Sequence, residues 1–228
     1  MLLALPGLLS SDEVAQARRL LAAAPWADGK ATAGYQSGLV KHNLQLPEEA
    51  PETRTLQRLV LAALGRSAAF QVAALPLRIY PPLFNRYDAG MGFGDHIDNA
   101  LRMPPGGRGA PLRTDVSATL FLSEPANYDG GELVIDDSFG SHRAKLAAGA
   151  LLLYPASSVH RVEAVTRGSR LACFFWVESL VRDEAQRTLL HDFDGALGGL
   201  RARGLGGEAE LIGLTGIYHN LLRRWAET

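Results

Sequence analysis

The sequence predicts a mainly β fold with flanking helices, in which an antiparallel double sheet of jelly-roll type precedes a C-terminal helical subdomain. Short β-like runs separated by turn residues follow one another between residues 77 and 178, and helical periodicity is confined to the segments on either side. This pattern is typical of all-β double sheets and not of a βαβ fold. We therefore divide the chain into an N-terminal helical flank at 1–76, a core at 77–178 and a helical tail at 179–228.

The N-terminal flank begins with a helix. Ser10 followed by Glu13 forms a capping-box pattern, and apolar residues then recur at helical spacing until Pro25. A second amphipathic segment runs from about residue 47 to residue 64, and Gly65 fits the residue that ends such a helix. The flank is therefore expected to be mostly helical.

The core consists of runs that are typical of strands, at residues 77–80, 84–87, 115–122, 132–136, 150–154, 159–165 and 170–178. Turn residues separate them, and the Gly130-Gly131 pair suits a turn with positive φ. The segment 104–111 is rich in Gly and Pro and is expected to form a surface loop. In the tail, glycines between 195 and 207 divide two helices whose apolar stripe packs on the core or mediates homo-oligomer formation.

Composition and charge exclude several classes of function. The 228 residues carry 23 basic and 24 acidic side chains, so no basic excess favours nucleic acid. No apolar stretch approaches the length of a membrane span, and the apolar start lacks the basic residues of a secretory signal. The single Cys173 excludes an internal disulfide and fits a reducing compartment. We expect a cytoplasmic protein with neither a nucleic-acid nor a membrane partner.

A candidate metal site begins with His96 and Asp98. These residues are two apart, so on an extended segment both side chains project to one face. The pair alone is a weak signal, because six histidines among this many acidic residues produce such a pattern by chance about half the time. Asn99 and Arg102 follow closely and are candidates for contacts with the substrate or with the ligands.

His160 supplies a distant third ligand for the same site. Two histidines and one carboxylate form the facial triad of non-haem iron(II) oxygenases, which leaves coordination positions open for a co-substrate and O₂. A structural zinc site would more often use four protein ligands that include cysteine, and this chain has one cysteine.

Arg170 is the candidate for binding a carboxylate. It lies ten residues after His160, beyond a predicted turn at Arg167-Gly168, and a hairpin of this length returns its planar fork to the interior near His160. The spacing leaves an internal salt bridge to Asp or Glu equally open. Tyr87 is a second candidate for the same ligand, although a strand tyrosine is more often a core residue.

These motifs together resemble the 2-oxoglutarate-dependent dioxygenases, and more narrowly the bacterial PKHD-type hydroxylases related to prolyl 4-hydroxylase. The resemblance rests on His-x-Asp, a late His and an Arg ten residues after it, and it extends over essentially the whole chain. The matching stretches are Ala31-Thr32-Ala33-Gly34, Lys41-His42-Asn43-Leu44-Gln45-Leu46, Asp98-Asn99-Ala100, Thr119-Leu120-Phe121-Leu122-Ser123-Glu124-Pro125, Tyr128-Asp129-Gly130-Gly131-Glu132-Leu133, Leu153-Tyr154-Pro155 and Phe174-Phe175-Trp176. His42 is a slight departure, since a polar Asn-like residue is expected at its position.

The resemblance implies a double-stranded β-helix core and a hydroxylase that couples oxidative decarboxylation of 2-oxoglutarate to hydroxylation of its substrate. It implies catalytic Fe(II) on His96, Asp98 and His160, the C5 carboxylate of 2-oxoglutarate on Arg170, O₂ as co-substrate, and L-ascorbate (vitamin C) as the reductant that restores oxidised iron. The substrate remains open between a peptidyl proline and a small molecule such as a siderophore. Two other interpretations remain, a cupin-type metal enzyme that uses no oxo-acid and a non-catalytic sensor of iron or 2-oxoglutarate.

Overall fold

Sixteen strands and six α-helices form the described parts of the chain, which in the computed structural model are residues 1–32, 35–107, 109–138 and 140–227. Ala33 and Gly34, from the first matching stretch, and Arg108, from the predicted loop, lie outside them. The helices are α1 (Ser11–Ala22), α2 (Tyr35–Val40), α3 (Pro51–Arg66), α4 (Ala68–Ala74), α5 (Glu184–Ala202) and α6 (Glu208–Trp225). The strands are β1 (Leu3–Leu5), β2 (Ala27–Asp28), β3 (Lys41–His42), β4 (Leu44–Gln45), β5 (Pro76–Ile79), β6 (Leu83–Asp88), β7 (Gly92–His96), β8 (Leu101–Arg102), β9 (Leu112–Arg113), β10 (Val116–Phe121), β11 (Tyr128–Gly130), β12 (Leu133–Asp137), β13 (Gly140–Ala144), β14 (Leu151–Pro155), β15 (Val159–Val162) and β16 (Val165–Ser179).

Two antiparallel sheets confirm the predicted double-sheet fold. Among the described residues, the larger sheet has nine strands in the order β1-β14-β10-β16-β6-β4-β2, with β5 and β11 also paired to β16. The smaller sheet has five strands in the order β13-β12-β15-β7-β3, and β8 pairs with β9 separately. The predicted loop joins β8 to β9, and the described glycines Gly106, Gly107 and Gly109 within it have positive φ.

The larger sheet buries both of its faces. Because successive strand residues point to opposite faces, Cys173, Phe175 and Val177 of β16 pack with α1, α3 and α4 in one apolar core. On the other face, Tyr87 and Phe121 join Ile135 of the smaller sheet in a second core between the sheets. The space between the two sheets is therefore where inward-pointing polar side chains can form a site.

The N-terminal helices confirm one predicted boundary and correct another. Ser10 Oγ accepts a hydrogen bond from the Glu13 N–H at 3.3 Å, and the Ser10 N–H donates to the Glu13 carboxylate at 2.9 Å, so the capping box of α1 is present. The expected end of the second helix at Gly65 is wrong, because α3 continues to Arg66. Ser67 ends α3 and also caps α4 by accepting from the Phe70 N–H at 3.2 Å, so a positive-φ glycine is not needed there.

Several short strands are absent from the sequence-based assignment. β1 pairs with β14, β3 with β7 and β4 with β6, so the helical flank also contributes strands to both sheets. Elements of two or three residues are too short to show an alternating pattern. β7, which carries His96, contains Gly92 and Gly94, and these glycines interrupt the strand-like pattern in its sequence. A Cβ added at Gly94 would lie 2.9 Å from Val40 Cβ. The division at 76/77 and 178/179 stays a prediction.

The predicted turn at Arg167-Gly168 is wrong. Both residues lie within β16, where Gly168 pairs with Tyr128 of β11 and has a φ of +75°. A Cβ at Gly168 would lie 2.2 Å from the Asn127 carbonyl oxygen, so this glycine permits a close approach of two strands. The turn with positive φ at Gly130-Gly131 is confirmed, with φ values of +69° and +67°.

The tail forms two helices that pack on the rest of the protein. The predicted break at 195–207 is too long, since α5 includes Gly195, Gly198 and Gly199 and the break is limited to residues 203–207. Leu190 of α5 packs with Leu75 and Val181, and apolar residues of α6 cover this cluster. Among the described residues, no helix is long and apolar enough to cross a membrane.

We predict that Leu190→Ala destabilises the protein by about 3 kcal/mol, because it leaves a cavity at a fully buried leucine. The melting temperature should then fall by about 6–12 °C in differential scanning calorimetry. Leu189→Ala is the matched control, since Leu189 is the neighbouring leucine and is 52% exposed. Equal melting temperatures for the two variants would contradict the packing of α5 on the core.

Candidate active site

His96 and His160 meet because their strands pair in a specific register. β7 and β15 are antiparallel neighbours in the smaller sheet, and His96 lies directly opposite His160. Opposed residues project to the same face at a short separation, and here the two ring centroids are 4.1 Å apart. Asp98 follows two residues after His96, and its Oδ2 lies 3.7 Å from His160 Nε2. The structure thus brings the three predicted ligands together, with one ligand atom of each within 4.8 Å of the others.

Hydrogen bonds orient all three side chains. His96 Nδ1 lies 2.8 Å from the Gly94 carbonyl oxygen, and His160 Nδ1 lies 3.0 Å from that of Ser158. A carbonyl only accepts, so each Nδ1 donates and each Nε2 keeps its lone pair for a metal ion. Ser117 Oγ donates to Asp98 Oδ2 at 2.6 Å. These contacts hold a set of two imidazoles and one carboxylate in orientations that suit a metal ion.

The surroundings of His96 favour the neutral imidazole. Phe93 stacks on the ring with centroids 3.6 Å apart. Burial lowers the pKa of His96 to about 4, and the neighbouring His160 acts in the same direction. A neutral imidazole is the form that binds a metal ion.

Arg170 lies deep between the sheets and is 1% exposed. It stands opposite Tyr87 in the pairing of β16 with β6, and its guanidinium carbon lies 5.4 Å from the Tyr87 ring centroid and 5.3 Å from that of Phe121. Within the described part of the chain, its Nε and Nη2 atoms have no hydrogen-bond partner and no carboxylate forms an ion pair with it. A buried cation without a partner is costly. This arrangement fits an anionic ligand. Among the described residues, no Asp or Glu side chain forms the internal salt bridge that the spacing had left open.

The route by which Arg170 reaches the site differs from the expected hairpin. β15 belongs to the smaller sheet and β16 to the larger one, and residues 163–164 connect them. The chain therefore crosses from one sheet to the other instead of folding back on its neighbour. Arg170 faces His160 across the gap between the sheets, and both residues line one pocket.

Tyr87 and Tyr154 line this pocket, and a third buried tyrosine, Tyr128, lies near Arg170. Burial raises the pKa of Tyr87, Tyr128 and Tyr154, so all three keep their hydroxyl proton at neutral pH. Tyr128 Oη is buried and has no hydrogen-bond partner among the described residues, and the positive charge of Arg170 acts on it. Tyr128 and Tyr154 were not predicted as site residues. Their only signal in the sequence is their place in two of the matching stretches.

The pocket between the sheets has a volume of about 780 Å³ including its open mouth. Besides the candidate ligands it contains polar residues that were not predicted as site residues: Lys41, Asn43, Asn85, Ser117 and Thr119. The predicted candidates Asn99 and Arg102 also line it. Burial lowers the pKa of Lys41 to about 8, so the ammonium is still the main form at neutral pH.

Comparisons with known proteins identify the family. Residues 82–178 match the 2OG-Fe(II) oxygenase superfamily and residues 184–227 match the PKHD-type hydroxylase C-terminal domain. A PKHD-type hydroxylase of Burkholderia thailandensis is 56% identical over 227 residues, which cover all of both chains. The chain belongs to the PKHD-type hydroxylase family. It is therefore an oxidoreductase, an iron- and 2-oxoglutarate-dependent dioxygenase that hydroxylates its substrate, and the cupin and sensor interpretations are wrong.

Solved structures with low sequence identity share the fold of this PKHD-type hydroxylase. A prolyl hydroxylase from Trichoplax adhaerens, in complex with a hypoxia inducible factor peptide fragment, has a TM-score of 0.56 at 16% identity and covers 82% of this chain and 86% of its own. HygX from Streptomyces hygroscopicus, with nickel, 2-oxoglutarate and hygromycin B bound, has a TM-score of 0.52 at 17% identity. The match covers 79% of this chain and 84% of the HygX chain. These likenesses confirm the predicted jelly-roll core.

Proposed function

We propose that His96, Asp98 and His160 hold the catalytic iron(II) of this hydroxylase and that Arg170 binds the distal carboxylate of 2-oxoglutarate. The observation that carries the proposal is the buried guanidinium of Arg170, which has two donor atoms without partners in the described residues and faces the pocket of the triad. A planar fork of donors matches a carboxylate through two parallel hydrogen bonds. HygX, which shares this fold, binds nickel and 2-oxoglutarate, and this supports the binding of a metal ion and 2-oxoglutarate by the present enzyme.

We assign positioning to the residues around these groups. Tyr87 and Tyr128 keep their protons, so their hydroxyls can donate to an anionic ligand of Arg170. Ser117 holds the Asp98 carboxylate, and the two Nδ1 hydrogen bonds hold the imidazoles. We assign to the aromatic side chains of the lining a role in limiting the access of water to the reacting groups. Precise placement is the main contribution of a protein whose difficult chemistry belongs to the cofactor.

When bound, the iron supplies oxidative decarboxylation of 2-oxoglutarate to succinate and CO₂, with O₂ as second co-substrate and one of its oxygen atoms transferred to a substrate C–H bond. We include L-ascorbate as the reductant that restores oxidised iron. The substrate is a small molecule or a peptide, and nucleic acids and membranes are not partners. We place the enzyme in the cytoplasm and expect homo-oligomers through α6, where Ile212 and Ile217 are 65% and 51% exposed.

We predict that the purified enzyme, with Fe(II), 2-oxoglutarate and a cytoplasmic metabolite extract, forms succinate together with a metabolite that has gained one oxygen atom. Untargeted mass spectrometry detects the product. The controls omit the enzyme, Fe(II) or 2-oxoglutarate, one at a time. Under ¹⁸O₂ the product should carry one ¹⁸O atom, because one oxygen atom of O₂ enters it. A product whose new oxygen comes only from water would contradict the proposed hydroxylation.

A further inference from the structure

A second cationic region lies in the active-site pocket, apart from Arg170. Lys41, in β3, is 5% exposed and lines the pocket. Its Nζ donates to Gln45 Oε1 at 3.0 Å and lies 5.6 Å from the Phe93 ring centroid and 6.0 Å from that of Phe174. Since Phe93 stacks on His96, the ammonium is held close to the candidate metal ligands.

Arg102 is the second cation of this region. Its guanidinium carbon lies 3.9 Å from the Trp176 ring centroid and 5.2 Å from that of Tyr80. Phe174 and Trp176 are two residues apart on β16, and their rings pack edge to face at 5.6 Å. Lys41 and Arg102 therefore lie along one aromatic wall of the pocket, and each acts electrostatically on the other.

The charges that line the pocket do not balance. Among the described residues, the lining contains three cationic side chains, Lys41, Arg102 and Arg170, but one carboxylate, Asp98. Iron(II) and the 2-oxoglutarate dianion cancel one another, so binding both leaves the excess positive charge in place. Asp28 acts on Lys41 and Glu48 on Arg102, but in the described part of the chain neither carboxylate lines the pocket. A cleft with an excess of one charge attracts ligands of the opposite sign.

Resting on the proposed function, we propose that the hydroxylated substrate carries a carboxylate that binds to Lys41 and Arg102. The guanidinium of Arg102 interacts with the Tyr80 hydroxyl, but its Nε has no hydrogen-bond partner in the described residues, so this N–H can donate to a carboxylate. The compact Lys41 ammonium adds a second charge. The rings of Phe174 and Trp176 provide an apolar surface for the body of the same molecule. Arg170 contacts different rings, so 2-oxoglutarate and the substrate carboxylate occupy separate cationic regions.

The test compares a carboxylate with its neutral amide in the presence of the co-substrate. The probes are 3-phenylpropanoate and 3-phenylpropanamide, added to Mn(II)-loaded protein that is saturated with 2-oxoglutarate. Paramagnetic relaxation of the probe protons measures both affinity and proximity to the metal. We expect the carboxylate to bind wild-type protein at least about tenfold more tightly than the amide, as loss of a charge-assisted hydrogen bond implies. Lys41→Met and Arg102→Met should each remove most of this preference.

Arg54→Met is the matched control, since Arg54 is an exposed arginine on α3 and should leave the preference unchanged. Equal affinities for the two probes, an undiminished preference in both pocket variants, or no binding of the carboxylate at millimolar concentration would overturn the inference. Binding of Mn(II) and of 2-oxoglutarate is measured first in every protein. Their absence in the wild type would refute the proposed function itself, whereas their presence without a carboxylate preference would refute this inference alone.

Discussion

Asp98→Ala is expected to abolish turnover and to weaken metal binding by at least about a hundredfold. Asp98 is the single carboxylate among the candidate ligands, and its Oδ2 lies 3.7 Å from His160 Nε2. Changes to residues that only support metal ligands already cost about 10–100-fold in affinity, so removal of a ligand costs at least as much. Titration of Mn(II) into the apoprotein, followed by electron paramagnetic resonance, measures the affinity without relying on activity.

Asp95→Ala is the matched control for this experiment. Asp95 is an aspartate of the same segment, but its side chain is 64% exposed and interacts with Arg161 at 3.3 Å on the outer surface. Its removal should change Mn(II) affinity by less than about twofold, because exposed ion pairs contribute little. If Asp98→Ala and Asp95→Ala bound Mn(II) equally well, Asp98 would not be a ligand.

Local spacing predicted that His96 and Asp98, the first two candidate metal ligands, share a face, whereas strand pairing determined the rest of the site. His96 and Asp98 share a face because they are two residues apart, which is visible in any extended segment. Their meeting with His160 depends on the register of β7 and β15, and a slip of one residue would turn His160 to the other face. A single sequence contains no direct record of that register.

Two of the pocket residues missed by sequence reasoning come from elements too short to recognise. Lys41 lies in a two-residue strand, and Asn43 precedes another, so neither segment shows an alternating pattern. Tyr128 lies two residues before the turn predicted at Gly130-Gly131, outside every predicted strand, yet its ring is fully buried near Arg170. The order β10-β16-β6 in the larger sheet brings inward-pointing side chains from separate parts of the chain into one pocket.

Arg170 lines the pocket, but it reaches the pocket by a different route from the predicted hairpin. The sequence suggested a hairpin that returns Arg170 toward His160, but β15 and β16 belong to different sheets. Arg170 faces the pocket because it shares the inward face of β16 with Phe174 and Trp176, which lie four and six residues later. Alternation along a long buried strand, not hairpin geometry, was the physical signal.

Arg170→Ala is expected to weaken 2-oxoglutarate binding on the order of a hundredfold while leaving metal affinity nearly unchanged. The guanidinium is 1% exposed and two of its nitrogen atoms have no partner in the described residues, so the co-substrate carboxylate is its expected counter-ion. Loss of a buried, charge-assisted pair costs several kcal/mol, which corresponds to about this factor. Arg170→Lys should give an intermediate affinity, because a lysine supplies the charge without the planar double donor.

The measurement is a titration of 2-oxoglutarate into anaerobic Fe(II) enzyme, followed by its metal-to-ligand charge-transfer band and repeated by calorimetry. Arg167→Ala is the matched control, since Arg167 lies three residues earlier on the same strand but is 60% exposed and pairs with Asp129 at 2.6 Å. That variant should bind 2-oxoglutarate as the wild type does. Equal affinities for wild type and Arg170→Ala, with Mn(II) binding intact in both, would place the co-substrate carboxylate elsewhere in the pocket. Lys41 and Arg102 would then be the remaining cationic side chains of the lining that could bind it.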